Sequence, residues 1–364
     1  MIIRKSLPAI VSLLVILLIA SCIDRIDFEV PAGTSDSVVV EGRVIKGANE
    51  SYVEIAVSRL FDFSQESRRP ITLKKVTLFD TNSNEMELET SVPGYYRVVL
   101  DETTPIQAEV GMGYSMRMEL LDGRIFDSTI EMMNSAPDPI GLNLEIVQDI
   151  VENETGSFRM VDRLALSIDT EFDPTSGGGL FWEIFNIFRI TDSPIDEGIE
   201  MKTCYLTQPA NVNEIFVLDA SLVNATEVRD FPLRRAPIDF RFGEGLYYEV
   251  HQYSLGRESF QYWRAIDALS EREGNMFDGP VGEVPTNMTN INDPDDSIFG
   301  YFFAAEDKVT RVRVPLELIG NPGPHCPPDG PARAEAGGAC LWGVCCDCIA
   351  DPTASLEQPS WWVD

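Results

Sequence analysis

Histidine is nearly absent: the 364-residue chain has two, His251 and His325. Serine triads, two-histidine zinc sites and most imidazole-based acid–base schemes therefore have little to draw on. Basic residues are also scarce. Twenty-eight Lys and Arg face 59 Asp and Glu, a formal charge of −31. That field repels DNA, RNA and anionic headgroups, so nucleic-acid binding by charge is excluded over most of the surface. Beyond residue 20 no long apolar run occurs. The remaining composition, 44% apolar and 24% charged, is that of a folded globular protein and not of a disordered one. The length suits two medium domains or one large one.

The N-terminus is the most informative segment. Arg4 and Lys5 precede an apolar run from Leu7 to Ala20 that only Pro8 and Ser12 interrupt. A bilayer span needs roughly 20 apolar residues, so this run is short for an anchor and right for the core of a signal peptide over residues 1–21. It closes on Leu18-Ile19-Ala20-Ser21-Cys22, which resembles the lipobox of bacterial lipoproteins. The resemblance implies cleavage before Cys22, a diacylglyceryl group on its thiol and an acylated amine. Two or three acyl chains, at about 0.8 kcal/mol per buried CH₂, hold a protein on a membrane. Asp24, Asp27 and Glu29 follow at once and resemble the acidic signal that exports such lipoproteins to the outer face of the outer membrane. The expected address is thus a lipid anchor in the outer membrane with the body on the cell surface. Residues 22–35, acidic and without periodicity, are read as a tether.

Six further cysteines are disulfide candidates: Cys204, Cys326, Cys340, Cys345, Cys346 and Cys348. Five lie in the tail 321–364, a Pro/Gly-rich stretch with little apolar material, which calls for covalent staples. Cys204, far away in sequence, is expected to tie this tail to the body. Neighbouring Cys345 and Cys346 are expected to take different partners, because adjacent Cα atoms sit about 3.8 Å apart, closer than disulfide geometry favours. The rival reading is a zinc knuckle built on His325 and several cysteines. The oxidising compartment and the lack of repeated C-x₂-C spacing favour disulfides.

The body reads as mainly β. From about Asp36 apolar residues alternate, as in Val53, Ile55 and Val57, or Tyr114, Met116, Met118 and Leu120, the pattern of half-buried strands. Asp122-Gly123, Asn82-Ser83-Asn84 and Pro93-Gly94 punctuate them. Six or seven short strands predict an immunoglobulin-like β-sandwich over residues 36–135. Ser135-Ala136-Pro137-Asp138-Pro139 breaks the pattern. A larger β-rich domain is expected over 136–320, with strands at Leu164–Ile168, Leu180–Ile190, Leu246–Leu255 and Val309–Leu318. Phe260, Trp263, Ile266 and Leu269 fall three apart and predict one amphipathic helix packed on a sheet.

No catalytic constellation emerges, and no cofactor or metal site is expected. His251, in a strand beside Tyr247, Glu249 and Tyr253, reads as a hydrogen-bonded structural residue, and His325 as local packing. Asn292-Asp293-Pro294-Asp295-Asp296 offers oxygen ligands for calcium, but it lacks EF-hand spacing and reads as a solvated loop. Gly177-Gly178-Gly179 lacks the lysine of a P-loop. Carboxylates are too abundant for a glycosidase pair to stand out. Trp361-Trp362 and Tyr301, Phe302 and Phe303 suit either a binding platform or packing.

Cys204-Tyr205, Phe260-Gln261-Tyr262-Trp263, Gly274-Asn275-Met276-Phe277-Asp278, Ile298-Phe299-Gly300-Tyr301-Phe302 and the closing Leu356-Glu357-Gln358-Pro359-Ser360-Trp361-Trp362 follow one another in an order that resembles the Bacteroidota surface-lipoprotein family known as domain of unknown function 4249. One departure is Thr286-Asn287 where a Gly-Asn pair is expected. No catalytic residues are established for that family, so the resemblance carries none over. It implies a place beside TonB-dependent outer-membrane transporters, as a lid or substrate-capturing partner. The alternative is a component of an outer-membrane assembly or adhesion complex, and a further one a carboxylate-based hydrolase.

Overall fold

The computed structural model describes residues 37–60, 69–90, 92–152, 156–173, 178–193, 200–210, 214–219, 222, 225–270, 284–326 and 343–363. The signal peptide, the tether with Cys22, Asp24, Asp27 and Glu29, Gly177, Gly274–Asp278 and Cys340 lie outside the described residues. What is described is mainly β. In chain order the strands are β1 (Val38–Lys46), β2 (Ser51–Arg59), β3 (Arg69–Pro70), β4 (Leu73–Asp80), β5 (Glu85–Glu87), β6 (Tyr95–Val99), β7 (Gly113–Leu120), β8 (Ile125–Ser128) and β9 (Glu131–Met132). They continue as β10 (Pro139–Glu152), β11 (Phe158–Glu171), β12 (Gly179–Thr191), β13 (Thr203–Pro209), β14 (Phe216–Asp219), β15 (Glu227–Pro237), β16 (Leu246–Leu255), β17 (Met288–Asn290), β18 (Ile298–Arg313) and β19 (Ala354–Ser355).

One ten-stranded sheet is the spine. Its order is β19-β13-β12-β16-β18-β1-β2-β3, with β14 on β12 and β6 on β2. β18 joins the two halves. Its first nine residues run parallel to β1, Val38 opposite Ile298 through Lys46 opposite Glu306. Its last seven run antiparallel to β16, from Asp307 opposite Tyr253 to Arg313 opposite Tyr247. Gly300, at φ +94°, permits the close pass against β1: a Cβ there would lie 1.8 Å from the Val40 carbonyl oxygen. Residues 288–306 are therefore distant in sequence from the first sandwich and yet complete it. The intervening chain is inserted between its strands.

Two smaller sheets cover one face of the spine. A six-stranded sheet, β17-β8-β7-β4-β5 with β9 on β7, closes a core that includes Val40, Val44, Ile55, Leu78, Tyr114 and Phe302. A three-stranded sheet, β10-β11-β15, closes a second core around Leu164, Ile168, Trp182, Phe188, Tyr248 and Val250. The opposite face of the spine carries the helix Arg257–Ser270, where Phe260 packs with Ile45, Phe181, Tyr253, Leu255 and Phe303. Gly179 makes that seat possible, since a Cβ would sit 2.5 Å from the Phe260 ring.

Two sequence expectations are corrected. Among the described residues the first half holds nine strands and not six or seven; β3 and β9 have two residues each, too short to show a period. The last long strand is not Val309–Leu318. It begins at Ile298, because Gly300 through Ala305 are buried on both faces and show no alternation. It ends before Pro315, which opens a short helix over Leu316–Ile319.

Candidate functional site

Alternation puts the odd-numbered residues of β1, β12, β16 and β18 on the helix-bearing face of the spine. There the helix leaves a cavity of about 350 Å³, lined by Tyr262 and Trp263 from the helix, Tyr301 and Phe303 from β18, Tyr95 from β6, and Arg43, Glu54 and Glu183. Arg43 and Glu54 are cross-strand partners. The Arg43 Nε–H donates to Glu54 Oε2 at 2.7 Å, and Nη1 donates to both Glu183 oxygens at 3.0 and 3.2 Å. The Tyr95 hydroxyl donates to Glu54, and the Tyr253 hydroxyl donates to Glu183 at 2.8 Å. Burial works against the Arg43 charge, but Glu183, Tyr253, Tyr52 and Glu54 outweigh it and hold its pKa above the ordinary value. Burial also opposes ionisation of Glu54, yet Arg43 and the Tyr95 hydrogen bond leave its pKa lowered. Burial is the main reason that the Tyr52 and Tyr95 hydroxyls are pushed up to about 12. Glu54 and Glu183 share one guanidinium, so they serve as charge-held hydrogen-bond acceptors beside aromatic rings. The Trp263 indole N–H has no partner among the described residues.

A second polar row continues along the same face. His251 Nδ1 lies 2.7 Å from Asp307 Oδ2, and Nε2 lies 3.2 Å from Glu249 Oε1. Arg311 Nε donates to Glu249 Oε2 at 2.5 Å, and its guanidinium lies 4.5 Å from the Trp361 ring centre, a cation–π contact. Both His251 nitrogens are engaged, so it is hydrogen-bonded, as expected from the sequence. Burial opposes its charge, but the hydrogen bonds and charges of Asp307 and Glu249 win and raise its pKa from 6.5 to about 9. A raised pKa in a base stabilises the fold fully below the unfolded value and is lost as pH rises through the folded one. Between pH 7 and 10 the wild type should therefore lose up to about 3 kcal/mol more stability than His251→Gln. Denaturant titrations across that range check this; equal slopes for the two proteins would contradict it.

The tail is held covalently. Cys204 is bonded to Cys348 across 144 positions, and Cys326 to Cys345 across 19. Cys346 is also disulfide-bonded. The ligand atoms of His325, Cys326 and Cys345 lie within 4.8 Å of one another, but the two sulfurs are joined to each other. His325 stacks on Phe240 with ring centres 3.8 Å apart. Trp362 packs with Ile187, Tyr205 and Tyr247, and so fixes the chain's end to the sheet face. Of the aromatic trio, Tyr301 and Phe303 line the cavity, whereas Phe302 lies in the first core.

The Asx-rich loop has protein partners: Asp295 N–H donates to Asp293 Oδ1, and Asp296 accepts from Asn290 at 2.9 Å and Arg124 at 3.4 Å. Thr286-Asn287, the family departure, clamps β18. The Thr286 hydroxyl donates to the Gly300 carbonyl at 2.7 Å. The Asn287 amide exchanges hydrogen bonds with the Phe302 backbone at 2.7 and 3.0 Å. Sequence reasoning missed the Arg43–Glu54–Glu183 cluster, whose members lie 11 and 140 positions apart. The available signal was an arginine in the middle of the alternating strand Val38–Lys46.

A family model described as a domain of unknown function, DUF4249, matches residues 23–311, and the chain belongs to that family. No curated protein and no solved structure matches it.

Proposed function

We propose that this family member is a lipoprotein held on the outer-membrane surface by Cys22, where it serves a TonB-dependent transporter as a lid or substrate-capturing partner. The observation that carries the reading is the β10–β11 hairpin. Ile150 and Met160 face each other across it, and with Phe158 they are 65–71% exposed. Large apolar side chains displayed together on an acidic surface suit a protein partner. The cavity at Arg43 adds support: aromatic rings beside fixed acceptors suit a small hydroxylated solute.

Placement comes first. Wild-type protein should carry fatty acid by mass spectrometry, and Cys22→Ala should carry none. Protease added to intact cells should shave the wild type, and changing Asp24, Asp27 and Glu29 together to Ala should protect it. Acylation that survives Cys22→Ala, or a wild type protected in intact cells, would contradict the proposed placement.

A further inference from the structure

A larger cavity, about 710 Å³, opens away from the Arg43 site, between the three-stranded sheet and the segment that leads into β14. Leu144, Leu166, Leu233 and Phe216 supply its apolar lining, and Glu214 and Arg234 also border it. Arg234 is the anomaly. In the β11–β15 ladder it stands directly opposite Leu166, which is 1% exposed, and the register slips beside it between Leu166 and Ser167. Opposed residues point to the same face, so the half-buried Arg234 side chain leans toward the space between the sheets. Its Nε and Nη1 are buried and find no hydrogen-bond partner among the described residues. Burial lowers its pKa; Tyr248, Glu214 and Asp239 act to raise it, and neighbouring Arg241 adds to the lowering. Arg241 is itself bound to Asp239, with Nη2 to Oδ2 at 2.6 Å, whereas Arg234 Nε and Nη1 have no acceptor among the described residues.

Buried guanidinium N–H groups without acceptors are costly, and an anion or acceptor that reaches them is favoured. Here they border a cavity of mixed polar and apolar lining, of the size that takes small ligands, on the order of 300–1,000 Å³. We infer that this cavity binds a monocarboxylate with an apolar body, its carboxylate on Arg234 and its body against Leu144, Leu166, Leu233 and Phe216. A guanidinium offers a planar fork that matches a carboxylate. Glu145, Glu214 and Asp230 border the same space and repel a second negative charge, which favours a carboxylate over a phosphate dianion. The inference stands apart from the transporter role and from the Arg43 cavity.

Isothermal titration of the acylated chain in nanodiscs, with chain-free nanodiscs as the blank, tests it. Octanoate should bind saturably at one site. Acetate, which lacks the body, and octanol, which lacks the charge, should bind at least tenfold more weakly. Arg234→Met should weaken octanoate at least tenfold without lowering the melting temperature, because it removes the N–H groups without acceptors and keeps much of the volume. If that variant does not fold, Arg234→Lys keeps the charge but loses the fork and should weaken octanoate at least threefold. Absence of saturable octanoate binding, unchanged affinity in either variant, or tighter binding of octyl phosphate would overturn the inference.

Discussion

Cys204→Ser should lower the melting temperature by roughly 10 °C. The bond it removes links β13 to the tail across 144 positions. In the chain-entropy model a loop of that length, left open in the unfolded chain, costs about 4–5 kcal/mol of stability. Cys204 and Cys348 are both fully buried in the second core, so loss of packing adds to the effect. The double variant Cys204→Ser/Cys348→Ser separates the two contributions. If the covalent link dominates, it should melt close to the single variant. Peptide mapping without reductant should show Cys348 newly free or mispaired. A melting temperature within 2 °C of wild type, six free thiols in the wild type, or stoichiometric zinc would contradict the disulfide account and favour a metal-bound tail.

Arg43→Met should cost about 2–4 kcal/mol, the range expected when one member of a partly buried ion cluster is removed. The cost comes less from the lost attraction than from what remains: Glu54 and Glu183 would face each other over the cavity without the cation they share, with Arg97 acting on Glu54 alone. Their side chains are 19% and 28% exposed, so water relieves them only in part. Glu54→Gln and Glu183→Gln added to Arg43→Met should restore most of the stability. Acid should narrow the gap between Arg43→Met and wild type, because protonation removes the stranded charge, so the variant's deficit should be smaller at pH 5 than at pH 8. Urea titrations at the two pH values measure it. A deficit that does not change with pH would show that Arg43 acts by packing alone.

Much of the fold was legible because half-buried strands carry their own period. Val53, Ile55 and Val57, and Tyr114 through Leu120, alternate as they do because one face meets a core and the other does not. The amphipathic helix was legible at Phe260, Trp263, Ile266 and Leu269 for the same reason with a different period. β18 was not legible in full: between Gly300 and Ala305 both faces are covered, by the six-stranded sheet on one side and the helix on the other, so alternation vanishes. Nor does local sequence reveal that this strand pairs with β1, 260 positions earlier, Val38 opposite Ile298. The tail was legible through what it lacks, since a Pro/Gly-rich stretch with few aliphatics needs cross-links. The Arg43 cluster was not, because Glu54 and Glu183 are ordinary strand glutamates until the sheet order sets them around one guanidinium. Arg234 was hidden likewise, because a bulge in β15 decides which way it turns.

The proposed transporter partnership is tested most directly by affinity capture of the tagged, acylated chain from native outer membranes, in parallel with an Ile150→Asp/Met160→Asp variant, read by quantitative mass spectrometry. A TonB-dependent transporter should co-purify with the wild type near equal amounts and be lost from the hairpin variant, while acylation and melting temperature stay unchanged. Recovery of an assembly machine or an adhesion ligand in its place, or of no membrane protein above the untagged control, would contradict the account.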